Sequence, residues 1–212
     1  MTRRTGIVVC AAALLALLAA GCSGNGKSES KAAGARAQSA CPAAWKPGWQ
    51  RLANRIKAPV YCPGWIPNPL TAEIGGPWGD VDSVDKRDRS YLGSFIWHEF
   101  QSGDVHVNLR GYPARTAIPT CIDVNTVNGV TTRTKIPCFS DPRGHTRTNG
   151  IDATFYTVNQ DADQWHLLYA WRHDGSLYTL SEHVSLPLTY AKVVHNLDRM
   201  LRGLVLIRPN AS

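Results

Sequence analysis

Two histidines on neighbouring strands could together bind a metal ion. Asp174-Gly175 is typical of a two-residue hairpin turn, and it separates two apolar segments of alternating pattern. Such a turn places His166 directly opposite His183, with Cβ atoms about 5 Å apart. Imidazole suits Zn²⁺ and Cu²⁺, so the pair could share an ion if a third ligand were supplied. The alternative is a solvated histidine pair on the polar face of a sheet.

A second polar pair depends on the preceding hairpin. Ser102-Gly103 lies between two predicted strands, and a two-residue turn there pairs Glu99 with His106. A hydrogen-bonded carboxylate and imidazole can act as a base and its orienting group, although an ordinary cross-strand salt bridge is the alternative. This register places Ile96, Phe100, Val105, Val107 and Leu109 on the core face, and Phe95, Trp97, Glu99, His106 and Arg110 on the other.

Tryptophans in the N-terminal part of the chain are candidates for a ligand groove. Trp45, Trp49, Trp65 and Trp78 lie in surroundings rich in Pro and Gly. Such aromatic side chains could line a groove for a glycan, a peptide or a lipid, or they could belong to the core.

Common catalytic motifs are not met. His98-Glu99 begins like a zinc-protease helix, but Ser102 stands where the second histidine is required, and no G-x-S-x-G elbow, P-loop or dinucleotide fingerprint occurs. We therefore predict no catalytic residue and no cofactor. The formal net charge is +7, but the basic residues are scattered and no aromatic residues interleave with them. Nucleic acid is not a predicted partner.

Four of the six cysteines lie in the main body of the sequence and predict two disulfides. We favour Cys41 with Cys62 and Cys121 with Cys138 because each bond closes a short local loop. Each such loop is worth roughly 3 kcal/mol in the chain-entropy model. Zinc is the alternative, but the four residues lack close C-x-x-C spacing.

The N-terminus has the pattern of an export signal. Arg3 and Arg4 precede an uncharged apolar run over residues 7–20, which is short for a transmembrane helix. The tetrapeptide Ala19-Ala20-Gly21-Cys22 resembles the lipobox of bacterial lipoproteins, although that family prefers Leu where Ala19 stands. The alanine-rich signal and the excess of Arg over Lys resemble those of high-GC bacteria such as actinobacteria.

The lipobox resemblance implies an address for the mature chain. It implies cleavage before Cys22, lipid attachment to the Cys22 thiol, and anchoring at the extracytoplasmic face of the cell membrane. We expect residues 1–21 to be the signal peptide, residues 22–40 a flexible tether and residues 41–212 a single globular domain. An ordinary signal peptide cleaved nearby is the alternative.

The remaining patterns predict an α+β domain. Apolar spacing of three and four predicts a short N-terminal helix over 47–56 and an amphipathic C-terminal helix over 189–203. Between them we expect about five to seven strands in a curved antiparallel sheet that packs on the C-terminal helix. Asn128-Gly129 predicts a further hairpin turn.

These observations favour a non-catalytic envelope protein that binds a ligand such as a glycan, or a protein partner, at the cell surface. A second hypothesis is a secreted hydrolase or metal-dependent enzyme that uses the histidines of the sheet. A third is a structural lipoprotein that docks onto a membrane complex.

Overall fold

A computed structural model describes residues 40–68, 70, 84–97 and 105–211, and these residues form two α-helices and ten β-strands. The helices are α1 (Lys46–Ile56) and α2 (Tyr190–Arg202). The strands are β1 (Val60–Pro63), β2 (Tyr91–Trp97), β3 (Val105–Tyr112), β4 (Thr120–Val127), β5 (Val130–Pro137), β6 (Phe139–Thr148), β7 (Ile151–Asn159), β8 (His166–His173), β9 (Ser176–His183) and β10 (Leu204–Ile207). A 3₁₀ turn at Asp161–Asp163 connects β7 to β8.

All strand pairs are antiparallel. Six strands form the main sheet in the order β2-β3-β9-β8-β7-β6, while β1 pairs with β10 and β4 pairs with β5 in separate two-stranded ladders. The predicted α+β class and the antiparallel pairing are therefore confirmed. The predicted five to seven strands match the main sheet but fall short of the ten strands in the described residues.

Helix α2 covers one face of the main sheet, as its apolar period predicts. The Thr189 hydroxyl accepts a hydrogen bond from the Lys192 N–H and caps the first turn. Apolar side chains of the helix, Val193, Leu197, Met200 and Leu201, belong to the same buried cluster as Leu167, Tyr169, Trp171, Tyr178 and Leu180 of the sheet. The Tyr169 hydroxyl also donates to Asp198 Oδ1 at 2.7 Å. Burial of this stripe, at roughly 25 cal/mol per Å² of apolar area, fixes the helix on the sheet.

Helix α1 begins one residue before its predicted start and carries its apolar stripe into the same core. Trp49 and Ile56 are fully buried, and Lys57 ends the helix in a left-handed conformation with φ 54°. The predicted bond between Cys41 and Cys62 is confirmed, and it connects the segment before α1 to strand β1.

The hairpin of β4 and β5 has the predicted turn at its tip. Asn128 and Gly129 have φ values of 51° and 77°, which a two-residue turn between twisted strands requires. The predicted bond between Cys121 and Cys138 is also confirmed, and it closes the base of the hairpin. Nearly every residue of the two strands is exposed.

The predicted register of β2 and β3 is wrong by three residues. Trp97 pairs with Val105, so His106 lies opposite Ile96 and not opposite Glu99. An odd shift moves every side chain of one strand to the other face, and Phe95 accordingly lies in the core. Gly111 helps to set this register, because the Tyr91 ring packs so closely against it that a Cβ on Gly111 would clash with Tyr91 Cε1.

None of the helices in the described part of the chain has the length and hydropathy needed to cross a bilayer.

Candidate metal centre

Three histidines come together on the sheet face opposite α2. His166 pairs with His183 across β8 and β9, which confirms the predicted register. Val107 of β3 pairs with Glu182 of β9, so His106 and His183 occupy the next positions along these two strands. The histidines offer one ligand nitrogen each, and these nitrogens all lie within 4.8 Å of one another.

The three imidazoles form a compact triangle. The ring centroids of His106 and His166 are 4.5 Å apart, and His183 lies 5.3 Å from each of them. His166 is 2% exposed, whereas His106 and His183 are half-buried. The cluster therefore reaches from the protein interior to the surface through two of its three members.

A group of buried polar side chains contacts His166, the most buried of the three histidines. The 3₁₀ turn brings Asp163 onto the same sheet face, where its Oδ1 accepts hydrogen bonds from Asn108 Nδ2 at 3.0 Å and Ser181 Oγ at 2.7 Å. Arg110 Nε lies 3.4 Å from Asp163 Oδ2, so the carboxylate has a compensating charge. His166 Nδ1 is 3.0 Å from Ser181 Oγ.

Burial keeps His166 uncharged. Desolvation, followed by the neighbouring His106 and His183 and then by Arg110, lowers the pKa of His166 to about 2. The 3.7 Å separation of His166 Nδ1 from Asp163 Oδ1 is therefore not an ion pair at neutral pH, and the connection between the two residues runs through the Ser181 hydroxyl.

The second ring nitrogen of His166 is a candidate metal ligand. His166 Nε2 is buried and has no hydrogen-bond partner among the described residues. A buried polar atom without a partner is costly, and a metal ion would satisfy it. Tetrahedral zinc with bonds of about 2.0–2.1 Å holds its ligand nitrogens roughly 3.3 Å apart. The three histidine nitrogens lie within 4.8 Å of one another, so binding a metal ion would require the rings to move closer together.

The predicted cross-strand alignment of Glu99 with His106 is wrong. Strand register gives His106 the partner Ile96, and Glu99 itself lies outside the described residues. His106 instead supplies the third imidazole that the predicted pair of His166 and His183 required.

One of the four tryptophans of the predicted aromatic groove lies in the core. Trp49 is fully buried and meets the edge of the Tyr91 ring, so its proposed place in a groove is wrong. Trp45 and Trp65 are partly buried against the same core, and the Arg199 guanidinium lies 3.9 Å above the Trp65 ring. Trp78 lies outside the described residues, as does the predicted lipidation site Cys22.

Sequence reasoning missed the polar residues that contact His166 directly or through one another, which are Asn108, Arg110, Asp163 and Ser181. The alternating pattern does place Arg110 and Ser181 on the polar faces of their strands, and residues 159–163 read as a turn. Nothing in the pattern shows that this turn returns Asp163 to the sheet.

Comparison with known proteins gives no match. No protein-family model matches the chain, and no curated protein sequence and no solved structure shows significant similarity to it. The function of the site therefore has to follow from its own geometry.

Proposed function

We propose that this protein is an exported, lipid-anchored domain that binds a divalent transition-metal ion through His106, His166 and His183. The observation that carries the proposal is the approach of three histidine nitrogens to within 4.8 Å of one another. Imidazole is a common ligand of zinc and copper, and three such ligands leave a coordination position open.

The electrostatics of the cluster favour an exchangeable ion. Asp163 is compensated by Arg110, and the three imidazoles bring no negative charge to the metal. Water, hydroxide or a small anion would occupy the fourth position and offset part of the ion's charge. The half-burial of His106 and His183 gives that position a route to solvent.

Two disulfides support the export of the domain. Cys41–Cys62 and Cys121–Cys138 form in the described residues, and such bonds persist outside the reducing cytosol. The anchor rests on the resemblance of residues 19–22 to a lipobox. A lipid with two acyl chains is sufficient for stable membrane attachment.

Metal binding is tested by calorimetry on the full chain, titrated separately with zinc and copper. We expect one ion per chain, and we expect His106→Ala and His183→Ala each to lower the affinity by more than about 100-fold. Loss of a ligand should exceed the 10- to 100-fold cost of losing a supporting residue. These two residues are half-buried, so their removal should leave the fold intact, as circular dichroism would show.

The matched control is His195→Ala, which removes an exposed imidazole from α2. It should bind metal like the unchanged chain. An affinity that is the same in all variants, or no binding heat at all, would contradict the proposed site.

Lipid attachment is tested by metabolic labelling with a radioactive fatty acid in a bacterial host. We expect the unchanged chain to incorporate label and Cys22→Ala to incorporate none. Label retained by Cys22→Ala would exclude this residue as the anchor. Cell fractionation of Cys22→Ala distinguishes two causes of lost label. A chain retained inside the cell has a defective export signal, whereas an exported chain without label has lost only its lipidation site.

A further inference from the structure

We infer that Ser181 and Asp163 are positioning residues that fix the proton of His166 on Nδ1, so that Nε2 keeps its lone pair in the metal-free protein and can bind a metal ion without first losing a proton. This inference rests on the proposed metal-binding function, but its central claim concerns the metal-free protein. It follows from the direction of each hydrogen bond in the buried group.

The direction begins at the Asp163 carboxylate. A carboxylate only accepts hydrogen bonds, and Arg110 supplies the opposite charge beside it. Both close contacts of Asp163 Oδ1 must therefore be donated to it, one by the amide of Asn108 and one by the hydroxyl of Ser181.

The orientation of Asn108 is consistent with this direction. Its Nδ2 donates to Asp163, while its Oδ1 accepts a hydrogen bond from the Ser94 hydroxyl at 2.7 Å. A flipped amide would place an N–H group where Asn108 Oδ1 now accepts, and would aim an oxygen at the carboxylate. The amide therefore has one favourable orientation.

The serine then determines the tautomer of the histidine. Ser181 has a single hydroxyl proton, which is donated to Asp163, so only its lone pairs remain for His166 Nδ1 at 3.0 Å. His166 Nδ1 must carry its proton to complete that contact. A neutral imidazole has one N–H group, so Nε2 keeps its lone pair.

The arrangement is rigid because it is enclosed. Ser181 is 0% exposed, Asn108 is 2% exposed and Asp163 is 7% exposed, so water does not compete for these contacts. The His166 backbone is fixed as well, because its carbonyl accepts a hydrogen bond from Asn159 Nδ2 at 2.6 Å. Free histidine favours the opposite tautomer, with the proton on Nε2, and that tautomer would have to lose or move this proton before binding a metal.

Metal ligands of this kind depend on such supporting groups. A histidine that binds metal usually donates its second ring N–H to a carboxylate, a carbonyl or water, and removal of that partner costs about 10- to 100-fold in metal affinity. In this protein the Ser181 hydroxyl lies between the Asp163 carboxylate and the His166 imidazole, and it favours the same tautomer, with the proton on Nδ1.

The test measures the tautomer of His166 directly in the metal-free full chain by nitrogen-15 NMR of the imidazole ring at neutral pH. We expect a protonated Nδ1 and an unprotonated Nε2. In Ser181→Ala we expect a larger fraction of the proton on Nε2, because the remaining acceptor, Asp163 Oδ1, lies 3.7 Å from Nδ1 and is beyond hydrogen-bond distance. We also expect zinc affinity measured by calorimetry to fall about 10- to 100-fold.

The control variant is Thr179→Val. Thr179 is buried on the same strand and the same face two residues away, so this change also removes a buried hydroxyl. It should leave both the His166 tautomer and the zinc affinity unchanged, and urea unfolding would show whether either variant is destabilised.

Each outcome bears on a distinct statement. Nε2 protonation in the unchanged chain would overturn the inference even if zinc binds. If the unchanged chain has the expected tautomer but Ser181→Ala keeps full zinc affinity, the positioning role is refuted. The expected tautomer without any metal binding would refute the proposed function and leave the hydrogen-bond assignment standing.

Discussion

Glu182→Gln is expected to raise the free energy of unfolding by about 3 kcal/mol at pH 7 and to leave it nearly unchanged at pH 4. Glu182 is fully buried between the sheet and α2, where Asn196 Nδ2 donates to its Oε1 at 2.8 Å. Desolvation raises the pKa of Glu182 from 4.5 to about 8, although the contact with Asn196 opposes the shift.

The sign follows from the proton balance. Below pH 4.5 the side chain is protonated in both the folded and the unfolded chain, so it contributes no pH dependence there. Between pH 4.5 and about 8 only the unfolded chain releases the proton, and folding stability falls by about 1.4 kcal/mol per pH unit. Glutamine has the same shape and an oxygen for Asn196, but it does not titrate.

Urea unfolding at pH 4 and pH 7, at equal ionic strength and with a chelator present, measures this difference. Asp152→Asn is the control, since Asp152 is an exposed carboxylate paired with Arg147. Its effect should be within about 0.5 kcal/mol at both values of pH. A Glu182→Gln effect of equal size at pH 4 and pH 7 would show that burial does not hold the proton on Glu182.

The part of the site that local turn chemistry determines could be predicted from the sequence. Asp174 and Gly175 have φ values of 46° and 70°, which only a few residue types adopt readily, and a two-residue turn leaves a single register. The alignment of His166 with His183 follows from that turn alone. The same reasoning holds for Asn128-Gly129 at the other predicted hairpin.

The third histidine could not be placed in this way. Strand β2 contains apolar residues in consecutive positions, Phe95-Ile96-Trp97, so alternation does not distinguish Phe95 from Ile96 as the inward side chain. Long-range packing contributes to the register, because the Tyr91 ring packs against Gly111 on the neighbouring strand, where a side chain would clash with it. A prediction that relied on a short turn therefore placed His106 beside the wrong partner.

The tryptophans show a similar division between local and long-range information. Trp49 falls on the apolar stripe of α1, so the helical period already predicts its burial, and its Pro- and Gly-rich surroundings were the misleading feature.

The position of Asp163 beside Ser181 depends on the path of the chain between β7 and β8. That path is a tertiary property without a counterpart in the local sequence pattern.

Acidification from pH 7 to pH 5 is expected to lower the stability of the metal-free Glu182→Gln chain by about 2 kcal/mol through His166. The folded-state pKa of His166, about 2, lies below the unfolded value of 6.5. Below pH 6.5 the unfolded chain therefore gains a proton that the folded chain excludes, and stability falls by about 1.4 kcal/mol per pH unit. The Glu182→Gln background removes the opposite trend of the carboxyl group.

Urea unfolding between pH 5 and pH 7 measures this slope, and the further change His166→Gln should remove most of it. Added zinc should stabilise the folded chain at pH 7, because an ion at 1,000 times its dissociation constant contributes about 4 kcal/mol. Its protection should weaken toward pH 5, since protons compete with the metal for imidazole nitrogens. A slope that survives His166→Gln would assign the acid sensitivity to other groups, whereas zinc protection that is independent of pH would contradict imidazole as the ligand.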